Sequence, residues 1–190
     1  MHVLPILTGT QFQDWQALND TVMGGRSSGS CRLSEDGLVL EADVVAEGGG
    51  FVSCRSPLFR PPLDLSAACG LVLDLSGDGR SYKLAVACAD GMAGVTELIP
   101  GGLRWVIAFS TSGEPHQRTV VPFAQLRASI RAKPVQTLPL GIPLRFDPAR
   151  ISRFQLLHSR FGDDGEPNPG FREGPLLLKL HAIEALSSPA

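Results

Sequence analysis

Glycine and proline are the residues that most limit what this chain can become. The 21 glycines and 15 prolines interrupt it every ten residues or so, which leaves little room for a long helix. A packed all-β domain has many turns and uses such residues there. At 190 residues the chain suggests one domain, 1–190, and this size buries roughly 70% of the unfolded surface, enough to fold without staples. The hydrophobic share of 43% and charged share of 19% are ordinary for a soluble globular protein.

Between the breaks the period is two. In Leu38–Val44 the even positions are apolar while Glu41 and Asp43 face the other way, the mark of a half-buried strand. Gly48, Gly49 and Gly50 break the chain, and Phe51–Arg55 reads as the returning strand, with Pro57, Pro61 and Pro62 marking a loop. Gly70–Leu75 is the next strand; Gly77-Asp78-Gly79 carries the Asp-Gly signal of a tight hairpin; Ser81–Ala89 follows, with Tyr82, Leu84, Val86 and Cys88 on one face and Ser81 and Lys83 on the other. Further strands are expected at Thr96–Ile99, Arg104–Ser110, Arg118–Val121, Arg153–His158 and Leu176–Ile183. Phe123–Ile130 is the one candidate for a short helix, and residues 162–174, without periodicity, read as a long loop. About nine or ten short strands indicate a sandwich or barrel, and a jelly-roll sandwich suits the length best. Such folds bind with their end loops or one sheet face.

The net charge of −2 points away from DNA and anionic membranes. From Arg118 to Arg160, however, eight basic residues face one acid, Asp147. That field would suit an acidic protein surface, RNA or lipid headgroups; the plain alternative is solvated loops in a chain that has 14 arginines and 3 lysines. Residues 1–7 lack a basic start and a long apolar core, and no run approaches the ~20 apolar residues of a membrane span. The expected location is cytoplasmic, or peripheral on a membrane through a partner. Cys31, Cys54, Cys69 and Cys88 form no C-x-x-C pair, so a thiolate metal site is not expected. They read as small buried hydrophobes, with a Cys31–Cys54 or similar bridge as the alternative.

Signals for chemistry are thin. Gly25-Arg26-Ser27-Ser28-Gly29 matches the serine-hydrolase elbow G-x-S-x-G, but that device needs a strand before the serine and a helix after it, and no such unit follows here. His158 and His181 lie in expected strands and are scattered in sequence; a lone strand histidine is more often structural than a ligand, and no H-x-H or H-E-x-x-H spacing occurs. Asp163, Asp164 and Glu166 lack the ligand spacing of an EF-hand. Asn19-Asp20-Thr21 matches a glycosylation acceptor by chance. No catalytic residue, cofactor or metal is expected.

One loop stands out. Trp15 precedes Leu18–Ser27, a run that mixes Met23, Gly24, Gly25, Arg26 and capping polar groups. Met adapts to surfaces, and Arg and Trp dominate binding energetics; the plainer reading is a loop folded onto its own domain, with Asn19 and Asp20 satisfying backbone amides. Arg55 and Arg80 are candidates for the same surface.

At this loop a resemblance enters. Trp15, Asn19-Asp20 and Met23-Gly24-Gly25-Arg26-Ser27 resemble the signature of the complex I intermediate-associated protein family of the thirty-kilodalton type. Gly49-Gly50-Phe51 with Ser53 and Arg55, Gly77-Asp78-Gly79-Arg80 with Tyr82, Trp105 followed by Val121-Pro122-Phe123, and Gly174-Pro175-Leu176 leading to Ile183 are similar to its later motifs, in order, from about residue 12 to 185. The resemblance implies a galactose-binding-like jelly roll and non-enzymatic work: mitochondrial members are assembly factors for respiratory complex I, and some plant and cyanobacterial relatives act in photosystem biogenesis. The chain looks like a stand-alone bacterial or cyanobacterial form. The expected function is an assembly factor or chaperone for a membrane complex, of NADH-dehydrogenase or photosynthetic type, binding through Asn19, Asp20, Met23, Gly24, Gly25, Arg26, Ser27, Arg55, Asp78, Arg80 and Tyr82. A carbohydrate-binding module is the alternative, and RNA or nucleotide binding through residues 118–160 a further one.

Overall fold

The computed structural model describes residues 2–89, 102–137 and 144–187. Its strands are β1 (Val3–Thr8), β2 (Gln16–Ala17), β3 (Ser28–Ser34), β4 (Gly37–Val44), β5 (Phe51–Arg55), β6 (Ala68–Ser76), β7 (Ser81–Cys88), β8 (Arg104–Ser110), β9 (Gln117–Pro122), β10 (Arg127–Ile130), β11 (Lys133–Pro134), β12 (Ile151–Ser159) and β13 (Gly174–Ser187). They form two antiparallel sheets. One runs β3-β4-β13-β6-β9, and β1 joins it on β13; the other runs β11-β10-β8-β7-β12-β5-β2. The 14-residue β13 organises the first sheet. Along one edge β4 pairs with Gly174–Leu180 and β1 with Ala182–Leu186, while β6 follows the other edge.

The period-two pattern is why the sheets face each other. Leu38, Leu40, Ala42 and Val44 of β4 and Leu71, Leu73 and Leu75 of β6 meet Tyr82, Leu84 and Val86 of β7 and Phe154 and Leu156 of β12 in one apolar core. Glu41 and Asp43 are exposed, as the alternation requires. Each large apolar side chain so buried stabilises the fold by roughly 1.5–3 kcal/mol.

Three sequence expectations change or fall outside view, and one strand is not among those expected. No helix forms over Phe123–Ile130: a 3-10 turn at Phe123–Gln125 gives way to β10. Leu126 and Ala128 both enter the core at a spacing of two, which only a strand allows, and β10 gains backbone pairing with β8. The expected strand Thr96–Ile99 lies outside the described residues. The serine-rich β3 carries too little apolar signal to be read as a strand. Finally, Cys31 and Cys54 are not thiols: they are joined as a disulfide, Cα–Cα 5.8 Å, between β3 of one sheet and β5 of the other. Cys69 and Cys88 are free and half-buried; burial pushes the Cys88 thiol up to about 11.

His158 is structural, as a lone strand histidine was expected to be. Its ring stacks on Phe171 at 5.2 Å and lies 5.4 Å from Tyr82. Nδ1–H donates to the Ser81 carbonyl at 2.8 Å, and burial holds the ring's pKa below the ordinary value. The long loop after β12 is also present, closed by a bridge between Phe161 and Pro167. Lys83 of β7 is buried beneath it and donates from Nζ to the carbonyls of Phe161 (2.6 Å) and Gly162 (3.2 Å). Burial lowers its pKa to about 8, against the pull of Asp163 and Asp164.

Candidate functional site

The loops 18–27, 45–50 and 160–173 join at one end of the sandwich, and a buried carboxylate ties the first two. A 3-10 turn, Asp20–Met23, is closed by Gly24 at φ +87°, the left-handed region that glycine enters freely. The turn puts Asp20 inside, fully buried. Its Oδ1 accepts the Ser27 amide at 2.9 Å; its Oδ2 accepts the Ser27 hydroxyl at 2.6 Å and the Gly50 amide at 2.7 Å, with Phe51 at 3.3 Å. Burial alone would raise the carboxyl's pKa, but the bonds from Ser27, Gly50 and Phe51 together outweigh it and hold the group below its usual 3.8. Two motif glycines are explained by this contact. A Cβ at Gly25 would stand 2.3 Å from Asp20 Cγ, and one at Gly49 2.4 Å from Asp20 Cβ. Asn19 pins the loop to β3 through Nδ2 and the Gly29 carbonyl, 3.1 Å.

A second cluster holds the loop before β13. Arg80 pairs with Asp78 and donates to the carbonyls of Arg172 (3.3 Å) and Glu173 (3.2 Å). Tyr82, also fully buried, donates its hydroxyl to Asp78 Oδ1 at 2.9 Å, and Arg172 returns to the Asp78 carbonyl at 2.9 Å. Burial and the neighbouring Asp78 push the Tyr82 hydroxyl far up, so it stays a donor. Glu173 and Arg160 then reach Ala46, at 2.6 and 3.0 Å, joining this cluster to the loop beside Asp20.

The expected binding residues therefore separate. Asp20, Ser27, Arg80 and Tyr82 have buried side chains that hold loops, and Gly25 packs on Asp20; Asp78 holds its loop too, but its side chain is 20% exposed and lines an open groove with Ser28, Glu41 and Asp43. Arg55 sits at the opposite end of β5 from Gly50 and takes no part in either cluster. Met23 and Arg26 remain outside. Met23 and its neighbour Val22 are 68% and 65% exposed, and Arg26 forms an exposed ion pair with Glu47. Sequence reasoning does not mark Glu47, Arg172 or Glu173, and marks Arg160 only as part of the basic stretch, because each acts through a partner 21 to 127 positions away. The match to G-x-S-x-G is accounted for by the hub: Ser27 is buried against Asp20, and a strand follows it.

Two other expected surfaces can be placed. The basic stretch is divided: Arg118 lies in the six-stranded sheet and pairs with Glu184, while Arg127, Lys133 and Arg153 lie in the seven-stranded sheet, with β8 and β7 between β10 and β12. These four do not share one sheet. Both tryptophans and the one tyrosine are buried, which leaves Phe161 as the exposed large aromatic among the described residues.

Fold and site together define a galactose-binding-like jelly roll that presents a rigidly held loop platform at one end. The sequence profile of Complex I intermediate-associated protein 30 (CIA30) matches residues 6–180. The chain belongs to that family. A comparison with curated proteins found no match. Among solved structures, the family 11 carbohydrate-binding module from Clostridium thermocellum, in complex with a β-1,3-1,4-mixed-linked tetrasaccharide, aligns with a TM-score of 0.62 at 12% identity, covering 98% of this chain and 96% of that one. The same kind of module from a cellulosomal cellulase of Clostridium thermocellum gives 0.57 at 13%, covering 96% and 89%. An agarase gives 0.56 at 15%, with 100% of this chain covering 25% of that one. At these identities the likeness is one of fold. No helix among the described residues is long and apolar enough to cross a membrane.

Proposed function

We propose that the protein is a non-catalytic assembly factor that docks its 22–26 loop onto a subunit or assembly intermediate of a membrane complex of the NADH-dehydrogenase type. Membership of the complex I intermediate-associated family supports the class of client; a photosynthetic complex is the second client of that class. The observation that carries the docking reading is the pair Val22–Met23, two large apolar side chains exposed side by side on a turn whose base is fixed by buried Asp20. Burying each against a partner gains roughly 1.5–3 kcal/mol, and a loop already held in place loses little further entropy on binding. The Arg26–Glu47 pair gives this apolar tip a polar rim, the usual anatomy of a protein interface.

The test is affinity capture from gently solubilised membranes of the organism that makes the protein. Val22→Asp and Met23→Asp, which alter only exposed positions, are expected to keep the wild-type melting temperature and lose the co-purifying subunits. Unchanged recovery with both variants contradicts the reading. The sugar alternative has less support, since the two tryptophans and the tyrosine are buried and Phe161 alone is an exposed large aromatic among the described residues.

A further inference from the structure

Away from the loop platform, the outer face of the six-stranded sheet brings two histidines together. The register between β13 and β6 shifts between Leu180 and Ala182, so His181 is the bulged residue, and a bulge re-aims its side chain. His116 arrives from the turn between β8 and β9. The two ring centroids are 4.5 Å apart. Each ring has its Nδ1 tied behind it. His181 Nδ1 lies 2.8 Å from the Asp36 carbonyl, an acceptor only, so Nδ1 carries the proton and Nε2 presents a lone pair. His116 Nδ1 lies 3.4 Å from Asp74 Oδ1, which selects the same tautomer. Metal-binding imidazoles are held in this way, by a carbonyl or carboxylate on the far nitrogen.

The Ser76 hydroxyl adds a second observation. It stands 2.7 Å from His181 Nε2 and close to the Pro115 carbonyl. With Nδ1 protonated, Nε2 accepts the hydroxyl proton of Ser76 in the free protein, and a rotation of the Ser76 side chain hands that lone pair to an ion. The His116 side chain is 69% exposed, and Glu114 and Asp36 line the same groove. We propose that Nε2 of His116 and Nε2 of His181 chelate a late first-row transition ion such as Zn2+ or Ni2+, the ions that imidazole suits. No group of three or more His, Cys, Asp or Glu among the described residues is arranged to hold a metal. The site is thus a two-imidazole chelate completed by water, exchangeable rather than structural.

Isothermal titration of the full chain with Zn2+ and with Ni2+ at about pH 7.5, above the ordinary imidazole pKa, tests this. One ion per chain is expected. His116→Ala and His181→Ala should each weaken binding by at least the roughly 10- to 100-fold that losing even an outer-shell partner costs. His2→Ala should change nothing. Absence of binding for both ions, binding that survives both central substitutions, or binding lost with His2→Ala overturns the proposal; the last would place the ion at the amino terminus. His116 is on an exposed turn, so its variant remains decisive if His181→Ala disturbs the strand.

Discussion

Asp20 shows how a residue's role differs from its visibility. Its place in a recognisable motif is legible in the sequence, and so is the idea that it satisfies backbone amides. What spacing cannot show is that those amides include Gly50 and Phe51, about thirty positions away, or that Gly25 and Gly49 are small because this carboxylate lies against them. Removing a charged acceptor from buried donors leaves them unsatisfied. Asp20→Ala is therefore expected to lower unfolding stability by about 3 kcal/mol, read by denaturant titration. The acid response has a definite sign. The folded carboxyl is held below its usual 3.8, so its contribution is complete above that value and is lost as pH falls through and below it. The wild type should lose stability over that range more steeply than Asp20→Ala; parallel curves would show that the hub carries no net weight.

Among the elements, legibility follows apolar alternation. β4 and β7 send every second side chain, Leu38 to Val44 and Tyr82 to Val86, into the core between the sheets and are plain in the sequence. β3 is a serine-rich edge strand, and Cys31 tethers it covalently across the sandwich. The disulfide to Cys54, 23 positions on, closes β3 over β5 just behind the loops that carry the platform. In the chain-entropy account a loop of that length gains about 3 kcal/mol. Reductant is expected to lower the melting temperature of the wild type and leave a Cys31→Ala/Cys54→Ala double variant unmoved. Equal sensitivity in the two proteins would deny the bridge a stabilising role. β10 teaches a different lesson: Arg127–Ile130 reads as part of a short helix until β8 pairs with Arg127, Ala128 and Ser129 and makes it a strand.

At the scale of the molecule, turn residues and alternation make the two-sheet sandwich legible, and several of the family motifs fall at the end where the two loop clusters lie. What they do not separate is scaffold from surface. Glycines, Asp20, Asp78, Arg80 and Tyr82 stand in motifs and hold loops, while Met23 stands in the same motif and points outward; its neighbour Val22 carries no signal beyond being apolar in a polar loop. The frame is shared with carbohydrate-binding modules at 12–13% identity, yet here the tryptophans and tyrosine are buried and the exposed apolar tip belongs to a loop. A shared frame does not by itself carry a function from one protein to another.

The most direct measurement of the docking claim is site-specific photo-crosslinking in the native organism, with a light-activated residue at position 23 and, as control, at Val120 on β9, which is also exposed. The account predicts adducts with subunits of one membrane complex from position 23 and none from position 120. Adducts from both positions alike, or from neither, would contradict it.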